Sequence, residues 1–509
     1  MKYLFIYPNK EQRETICIRL RKSDYKIISN YLEFVDDIKS YKILCCNEEA
    51  LYYLKKYDKK FLQDSVLFRK ECLNFYLKYN AYLSFKKNNI NVVKKSRCYF
   101  GSCIAKPDFG FASLGVKKIV SDDELKSYFD DLDNAFCKNL KSMYEKYFDN
   151  FTNDVVYEEV IENNIFFSVP FIYYNKQIYS FPIEGIKTLK NSSTDFYWTE
   201  FLLNLNTINK EIKNKIDDLL EQLALLYING NSVNMAEVMY NKIDKKIYLI
   251  EFSPRVPGGK LSKMIEYATG LNLNKISIDL FLNNDVDLTL VKKESVKLII
   301  DLNMNDNYSN DCFEKISEFS SLFNSYVNYY FFLNVPTVGL VPGRFAPLHK
   351  GHEFLINYAL QKADKVIVMI FDTSDTCVPL EIRANWIKTL FPTVEVIQAK
   401  NCPDGHKYAY ENGVECEIIQ NEFIEKKLNN NRVDYVFHST QYGDCVSSFL
   451  GAQSINVDFD RNMVPISGTM IRNDLNSYRE FLSDYIFDEY SNFLIKNNEN
   501  KSSIRKVNE

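Results

Sequence analysis

The sequence predicts an α/β protein of several folded units, and three observations carry that reading. Short apolar runs alternate with helix-like segments from the start of the chain, as at residues 3–7 and 43–45. A strand–loop–strand segment with small loop residues follows at 103–120, ahead of further strands and one long amphipathic helix. From Val335-Pro336 the alternation starts afresh and runs to residue 485. The length of 509 residues agrees, since roughly 150 residues per domain gives about three units.

Taken in order, residues 1–95 are expected to form a small α/β domain, and 96–290 a mixed α+β region. Within the latter, Ile212, Ile216, Leu219, Leu220, Leu223 and Leu226 recur at helical spacing, one apolar stripe that reads as core. Residues 291–335 are poor in Gly and Pro and rich in Asn, Ser and aromatics, and are read as a bridging segment. A second α/β domain is expected over 336–485, with a tail over 486–509 that frays along its polar end.

Composition narrows the function. At 46% hydrophobic and 26% charged residues the chain is neither disordered nor collagen-like. A net charge of -4 offers no basic footprint for nucleic acid. No apolar stretch approaches the ~18 residues that span a bilayer, and the opening MKYLFIYPNKEQRET, broken by Pro8 and charges, reads as a strand rather than a signal peptide. The 12 cysteines are scattered, which predicts reduced structural thiols in a cytoplasmic protein. The four histidines, His349, His352, His406 and His438, all fall late in the chain. The first two thirds therefore work without a histidine triad or a histidine-liganded metal. Small-molecule partners are expected, and a homo-oligomer is left open.

The segment CIAKPDFGFASLGVKKIV joins a strand ending at Lys106-Pro107 to a loop with Gly110, Ala112, Ser113 and Gly115. Small residues let backbone N–H groups approach phosphate oxygens, and Lys106 adds positive charge at the loop base. A plain hairpin with a surface lysine has the same look. Residues 234–240 and 247–252 form a second strand pair around NKIDKK. Centred near Asp244, that hairpin sets Glu237 opposite Glu251, with Cβ atoms about 5 Å apart. Opposed carboxylates call for a neutralising cation, and Mg²⁺ takes carboxylates together with nucleotide phosphates. A solvated hairpin is the alternative. Arg255, in EFSPRVPGGK, follows in a position to meet a phosphate.

The order KPDFGFASLGV, VVYEEVIENN, VNMAEVMY, LIEFSPRVPGG resembles the ATP-grasp superfamily, in its carboxylate–amine ligase branch, across residues 60 to 290. The resemblance implies an ATP-grasp fold and an ATP-dependent acyl phosphate that an amine attacks. It assigns Lys106, with Lys78 as the earlier lysine, to the phosphates, and Glu158, Val160 and Ile161 to the adenine hinge. Glu237, Glu251 and Ser253 become the Mg²⁺ ligands, and Arg255 the arginine at the reacting phosphate. Three departures stand out. Ser253 replaces the usual Asn, Ala112 a loop glycine, and Asn163-Asn164-Ile165-Phe166 lacks the ribose-binding acid.

The segment VGLVPGRFAPLHKGHEFLINYA leads an apolar strand through a Gly343-Arg344-Phe345 turn into His349-Lys350-Gly351-His352 and a helix. Histidines three apart at a helix start can both face one anion, and Gly351 lets it approach the backbone. A zinc site and incidental surface histidines are the alternatives. Further on, in NVDFDRNMVPISGTMIRNDL, Ser467, Gly468 and Thr469 precede a helix carrying Arg472. That is a second anion-binding pattern, or a plain helix cap with a surface arginine.

Together GRFAPLHKGH, EIRANWI, STQYGD and ISGTMIR resemble the HxGH nucleotidyltransferases, and within them the nicotinamide-mononucleotide adenylyltransferase domain of NadR-type proteins, over residues 336 to 480. The resemblance implies a Rossmann-like domain with a parallel sheet. In such a domain a substrate phosphate attacks the α-phosphorus of ATP and pyrophosphate leaves. His349 and His352 would stabilise the α-phosphate, while Ser467, Thr469 and Arg472 hold the β- and γ-phosphates with Mg²⁺. Gly343, Arg344 and Phe345 would lie beneath the nucleotide, and Arg383 and Trp386 on the substrate side, the indole stacking on a pyridine. Gln441 stands where a Glu is common, and His406 and His438 lack a motif. No GxxxxGK[ST] kinase loop is present.

The expectation is a bifunctional enzyme using ATP and Mg²⁺, with an amide-forming ligase half and an adenylyltransferase half. The alternatives are an adenylyltransferase with a regulatory or inactive ATP-grasp half, and a non-catalytic nucleotide sensor.

Overall fold

A computed structural model of the chain describes residues 2–29, 33–54, 57, 66–108, 115–131, 154–191, 194–258, 260–290, 294–302, 312–320, 325–373, 378–403, 414–429 and 431–507. They fall into two compact units, Met1–Asn206 with Lys213–Val335, and Thr207–Ile212 with Pro336–Glu509. Among the described residues no helix is long and apolar enough to cross a membrane.

The first unit opens with a three-stranded parallel sheet, in the order Tyr25–Ile28, Lys2–Ile6, Tyr41–Cys45. The helix Lys10–Arg19 follows its central strand and starts with a capping box. There the Gln12 N–H donates to Asn9 Oδ1 at 2.9 Å and the Asn9 N–H to Gln12 Oε1 at 3.0 Å. Phe5 and Ile16 then bury against Ile278 and Phe281, later in the chain.

Two antiparallel sheets make the rest of this unit. A small one runs Lys95–Ser96, Val155–Glu158, Cys103–Pro107, Lys117–Ile119. A large one has nine strands among the described residues. At one edge Ile247–Ser253 pairs with Ser232–Asn241, and that strand pairs with Asn164–Tyr174. The hairpin turn after Asn164–Tyr174 places Asn175 and Lys176 at positive φ, as a two-residue hairpin loop requires. Helices Leu261–Thr269 and Leu273–Phe281 enclose a core with Val233, Met264, Leu298 and Phe331. The helix Lys210–Tyr227 buries Ile212, Ile216, Leu219, Leu220 and Leu223. Its apolar stripe is thus core.

The stretch 291–335 differs from the bridge expected of it. Val296–Asp301, Ser325–Leu333 and Glu314–Ser320 extend the large sheet as three further antiparallel strands, next to Thr194–Leu203. Its aromatics are the reason, since Tyr330 and Phe331 are fully buried and aromatic side chains suit a pleated, half-covered face.

The second unit holds a five-stranded parallel sheet in the order Glu395–Ala399, Lys365–Phe371, Val338–Gly343, Tyr435–His438, Gln453–Asn456. Strand order reverses about the central Val338–Gly343, so ligand is expected at the crevice beyond its carboxyl end. Separate apolar clusters contain Phe345, Ile356 and Trp386, and Leu340, Met369 and Val446. The tail expected from residue 486 is instead part of a helix, Asp484–Val507, whose Ile486 and Tyr490 enter the first of these clusters. Its polar sequence conceals apolar anchors in the opening turns.

Candidate functional site

In the first unit the strand Cys103–Pro107 delivers Lys106, and Val155–Glu158 delivers Glu158. Both side chains are buried. Glu158 Oε2 lies 2.6 Å from Lys106 Nζ and 2.8 Å from Lys95 Nζ. The sheet register explains the arrangement, because Lys95 is the direct cross-strand partner of Glu158 and Lys106 is diagonal to it. Burial alone would raise the Glu158 carboxyl, but Lys106 and Lys95 overcome it and hold the group at about 2. Burial pulls the Lys95 ammonium down to about 8 against the opposing pull of Glu158. Two ammonium groups facing one carboxylate leave net positive charge, suited to phosphates.

Lys95 is the residue that sequence reading passed over. With Lys106 it makes a pair of lysines at Glu158. Lys78 begins the helix Lys78–Lys87, where its backbone N–H donates to Asp108 O at 2.9 Å. Lys95 sits beside Lys94 in a run that reads as exposed. The signal available was the apolar pair Val92-Val93 leading into it.

Lys95 also joins the small sheet to the edge of the large one. Its Nζ donates to Ile250 O at 3.2 Å, and the charge of Glu251 raises its pKa. Across that edge Glu237 and Glu251 are direct register partners, next to a bulge at Val238. Both are half-buried, while Ser253 is buried with its hydroxyl 3.5 Å from Glu251 Oε1. Among the described residues no group of three or more His, Cys, Asp or Glu gathers as a metal site. Two hard carboxylates beside the buried Lys95 nevertheless fit Mg²⁺ whose remaining ligands come from nucleotide oxygens. Arg255 is held by its own loop, with its guanidinium donating to Val256 O at 2.9 Å and its N–H to Ser253 O at 2.9 Å.

Gly110 and Ser113 lie outside the described residues, as does Ala112. Gly115 takes φ +69°, a conformation suited to glycine, and its carbonyl accepts from the Tyr128 hydroxyl at 2.9 Å. The hinge expected at Glu158, Val160 and Ile161 connects the two antiparallel sheets. Val160 and Ile161 are half-buried there. Asn164 donates to Ile161 O at 2.5 Å, and Asn163 O accepts from the Lys242 N–H at 2.8 Å. The two asparagines therefore shape the hinge backbone. The Glu158 side chain faces the lysines.

In the second unit His349 caps the helix Lys350–Lys362 and His352 lies one turn in. The two rings stack with centroids 3.7 Å apart, and Phe345 lies 4.8 Å from His352. Burial pulls His349 down to about 3 and His352 well below its ordinary value, with Arg461 adding to both. The imidazoles are neutral at physiological pH. Each Nδ1 is buried without a hydrogen-bond partner, the state of a ring awaiting a polar ligand. Gly351 gives this packing room, since a Cβ there would sit 3.1 Å from the His349 ring, which would have to shift by a few tenths of an ångström.

The distant turn meets the histidine motif directly. Arg472 donates to Ala346 O at 2.5 Å and to Thr469 Oγ1 at 3.0 Å. A Cβ on Gly468 would crowd Ala346 O at 3.1 Å. Ser467 caps the short helix Gly468–Asn473 by accepting from the Met470 N–H at 3.3 Å, so the cap reading holds for its hydroxyl. Phe345 adopts φ +52° in the turn at 343–345, a strained state for a non-glycine residue, and a Cβ on Gly343 would lie 2.9 Å from its ring. Arg461, exposed on the loop before Val464 and close enough to act on both imidazoles, also went unnoticed in the sequence.

Arg383 and Trp386 are not where a ligand would touch them. Arg383 is fully buried and donates to Val378 O at 2.8 Å, Phe371 O at 2.8 Å and Arg344 O at 2.5 Å. It ties the turn at 343–345 to the end of the neighbouring strand Lys365–Phe371. Trp386 is fully buried, edge-on to Tyr490 at 6.2 Å, which removes the expected stacking on a pyridine. His438 is structural. Its Nε2 lies 2.7 Å from Ser454 Oγ, and a Cβ on Gly443 would fall 2.0 Å from its ring. Gln441 is exposed at the start of the helix Tyr442–Leu450, and His406 lies outside the described residues.

Residues 100–264 match the ATP-grasp domain family, and residues 340–474 the cytidylyltransferase-like family. Both point to enzyme activity. No curated protein sequence matches the chain. Among solved structures, the L-amino acid ligase of Bacillus licheniformis is 13% identical, covering 66% of this chain and 94% of its own, with a TM-score of 0.46. N5-carboxyaminoimidazole synthetase of Staphylococcus aureus with ADP is 11% identical, covering 65% and 94%, at 0.45. Biotin carboxylase of Campylobacter jejuni is 11% identical, covering 65% and 87%, at 0.43.

Proposed function

We propose that this chain, which joins an ATP-grasp domain to a cytidylyltransferase-like domain, carries out two separate reactions of ATP. The second unit transfers AMP to a phosphorylated acceptor, such as nicotinamide mononucleotide, with release of pyrophosphate. The stacked, neutral pair His349–His352 carries this reading, because the Nδ1 atom of each ring is buried without a hydrogen-bond partner among the described residues. A neutral imidazole donates a hydrogen bond to an α-phosphate oxygen without needing a proton from solvent. Arg472, anchored on Ala346 O, and Thr469 hold the departing phosphates, and Gly343, Arg344 and Phe345 shape the turn below the nucleotide. Catalysis is positioning plus charge stabilisation.

The first unit activates a carboxylate by phosphoryl transfer from ATP and passes the acyl group to an amine. Lys95 and Lys106 orient phosphates around Glu158, and Arg255 meets the transferring group. Glu237, Glu251 and Ser253 would hold Mg²⁺, which supplies charge neutralisation at the phosphates.

The test is product analysis with ATP or CTP as donor. ATP with nicotinamide mononucleotide should yield a dinucleotide and pyrophosphate, whereas CTP should not. Preference for CTP would move the second unit to cytidylyl transfer. ADP release that depends on both an acid and an amine tests the first unit, and its absence across a broad acid panel would leave that half without ligase activity.

A further inference from the structure

Ser168 lies in the middle of the strand Asn164–Tyr174, and the sheet register fixes its surroundings. Its direct partner on one side is Glu237, which is in turn the direct partner of Glu251. Directly paired residues share a face of a sheet, with Cβ atoms about 5 Å apart. Ser168, Glu237 and Glu251 therefore form one row across three adjacent strands, on one face. Ser168 is 1% exposed, and its hydroxyl has no hydrogen-bond partner among the described residues. We propose that Ser168 is a positioning residue for Glu237, donating its hydroxyl hydrogen to the carboxylate oxygen that a bound cation leaves free. The inference rests on the Mg²⁺ reading of Glu237 and Glu251.

The neighbours of Ser168 narrow the choice of acceptor. On its other side it pairs with Ile183, the fully buried first residue of the strand Ile183–Asn191. Along its own strand the same face carries Phe166 and Pro170. The diagonal positions on Ser232–Asn241 are Met235 and Met239. Among the described residues of the sheet, Glu237 is thus the one adjoining side chain on that face able to accept a hydrogen bond. A buried hydroxyl without a partner is destabilising, and alanine would pack among these apolar groups without that penalty. The serine therefore answers to something other than packing.

The carboxylate pair supplies the reason. A glutamate that gives one oxygen to a cation has a second oxygen left, and carboxylates that hold metals are themselves hydrogen-bonded. Glu237 is half-buried, and a carboxylate that starts about 5 Å from Ser168 is within reach of its hydroxyl. Glu251 already has such a neighbour, since Ser253 Oγ lies 3.5 Å from its Oε1. Each glutamate of the pair is thus served by one serine.

The test titrates full-length protein with Mn²⁺, a paramagnetic stand-in for Mg²⁺, and reads binding by electron paramagnetic resonance in the presence of a non-hydrolysable ATP analogue. The Mn²⁺ binding that Glu251→Ala removes defines the site in the first unit, apart from any cation bound with nucleotide in the second. Ser168→Ala should raise the Kd of that site about tenfold, the lower end of what losing a hydrogen bond to a metal ligand does. Its thermal midpoint should stay equal or rise. Ser168→Thr keeps the hydroxyl and should bind Mn²⁺ as the wild type does; if its added methyl unfolds the strand, Ser168→Ala alone decides. A Kd unchanged by Ser168→Ala would overturn the inference. An equal loss in a folded Ser168→Thr would also overturn it, by making the effect one of packing. If no Mn²⁺ binding responds to Glu251→Ala, the metal reading itself falls. Binding that responds to Glu251→Ala but not to Ser168→Ala keeps that reading and removes only the serine.

Discussion

Replacing Glu158 with Gln should destabilise the first unit by roughly 3 kcal/mol at pH 7. A buried carboxyl held from its ordinary value of 4.5 down to about 2 favours its ionised form by roughly that amount. Removing one member of a buried ion pair typically costs about 3–5 kcal/mol. Glu158→Gln keeps the shape but leaves Lys95 and Lys106 facing a neutral amide. Lys95, already pulled to about 8 by burial, loses the pull that opposes burial and falls further towards neutrality. The pH dependence has a definite sign. Because the folded-state value is depressed, the carboxylate's contribution is complete above about pH 4.5 and fades as pH falls towards 2. Urea unfolding of both proteins, followed by a signal of the first unit, should show a gap that narrows by about 1.4 kcal/mol per pH unit below 4.5. A gap under about 1 kcal/mol at neutral pH, where intact buried pairs exceed that value, would refute the reasoning. So would a gap that widens on acidification.

Other outcomes follow from the second unit. His349, depressed to about 3 by burial, should make stability fall as pH drops below about 6.5, and His349→Asn should lessen that fall in thermal melts without abolishing it, because His352 is depressed as well. Gly443→Ala places a Cβ 2.0 Å from the His438 ring and should cost about 1–3 kcal/mol in denaturant unfolding. A second change, His438→Ala, should recover part of it. Trp386→Ala should cost about 3–5 kcal/mol of stability, while the milder Trp386→Phe leaves the acceptor KM unchanged. A raised acceptor KM at full stability would return Trp386 to the ligand.

Much of this was legible before the structure because periodicity is local information. Glu237 does stand opposite Glu251, but only through the bulge between Glu237 and Val238, since the pairs nearer the turn run one residue off that register. The stripe in Lys210–Tyr227 follows from helical spacing. Motifs separated by more than a hundred residues, such as Ala346 and Arg472, could be associated only by resemblance, and the structure supplies the hydrogen bond. What escaped depends on burial. Lys95 next to Lys94 looks like solvated charge until Glu158 is placed opposite it. Arg383 looks like a ligand-binding cation, yet three backbone carbonyls surround it. Tyr330 and Phe331 sit in a segment whose asparagines and serines conceal strand character, and Ile486 and Tyr490 anchor a tail that its polar end disguises.

If one chain runs two ATP reactions with separate residues, the two products can be lost independently. ATP labelled at the α- and γ-phosphates, followed in the wild type, Glu251→Ala and His352→Ala, tests this most directly. His352→Ala should lose pyrophosphate release and α-label transfer but retain acid- and amine-dependent ADP formation, and Glu251→Ala should do the reverse. Loss of both products in either folded variant, or one product class alone from the wild type, would contradict it.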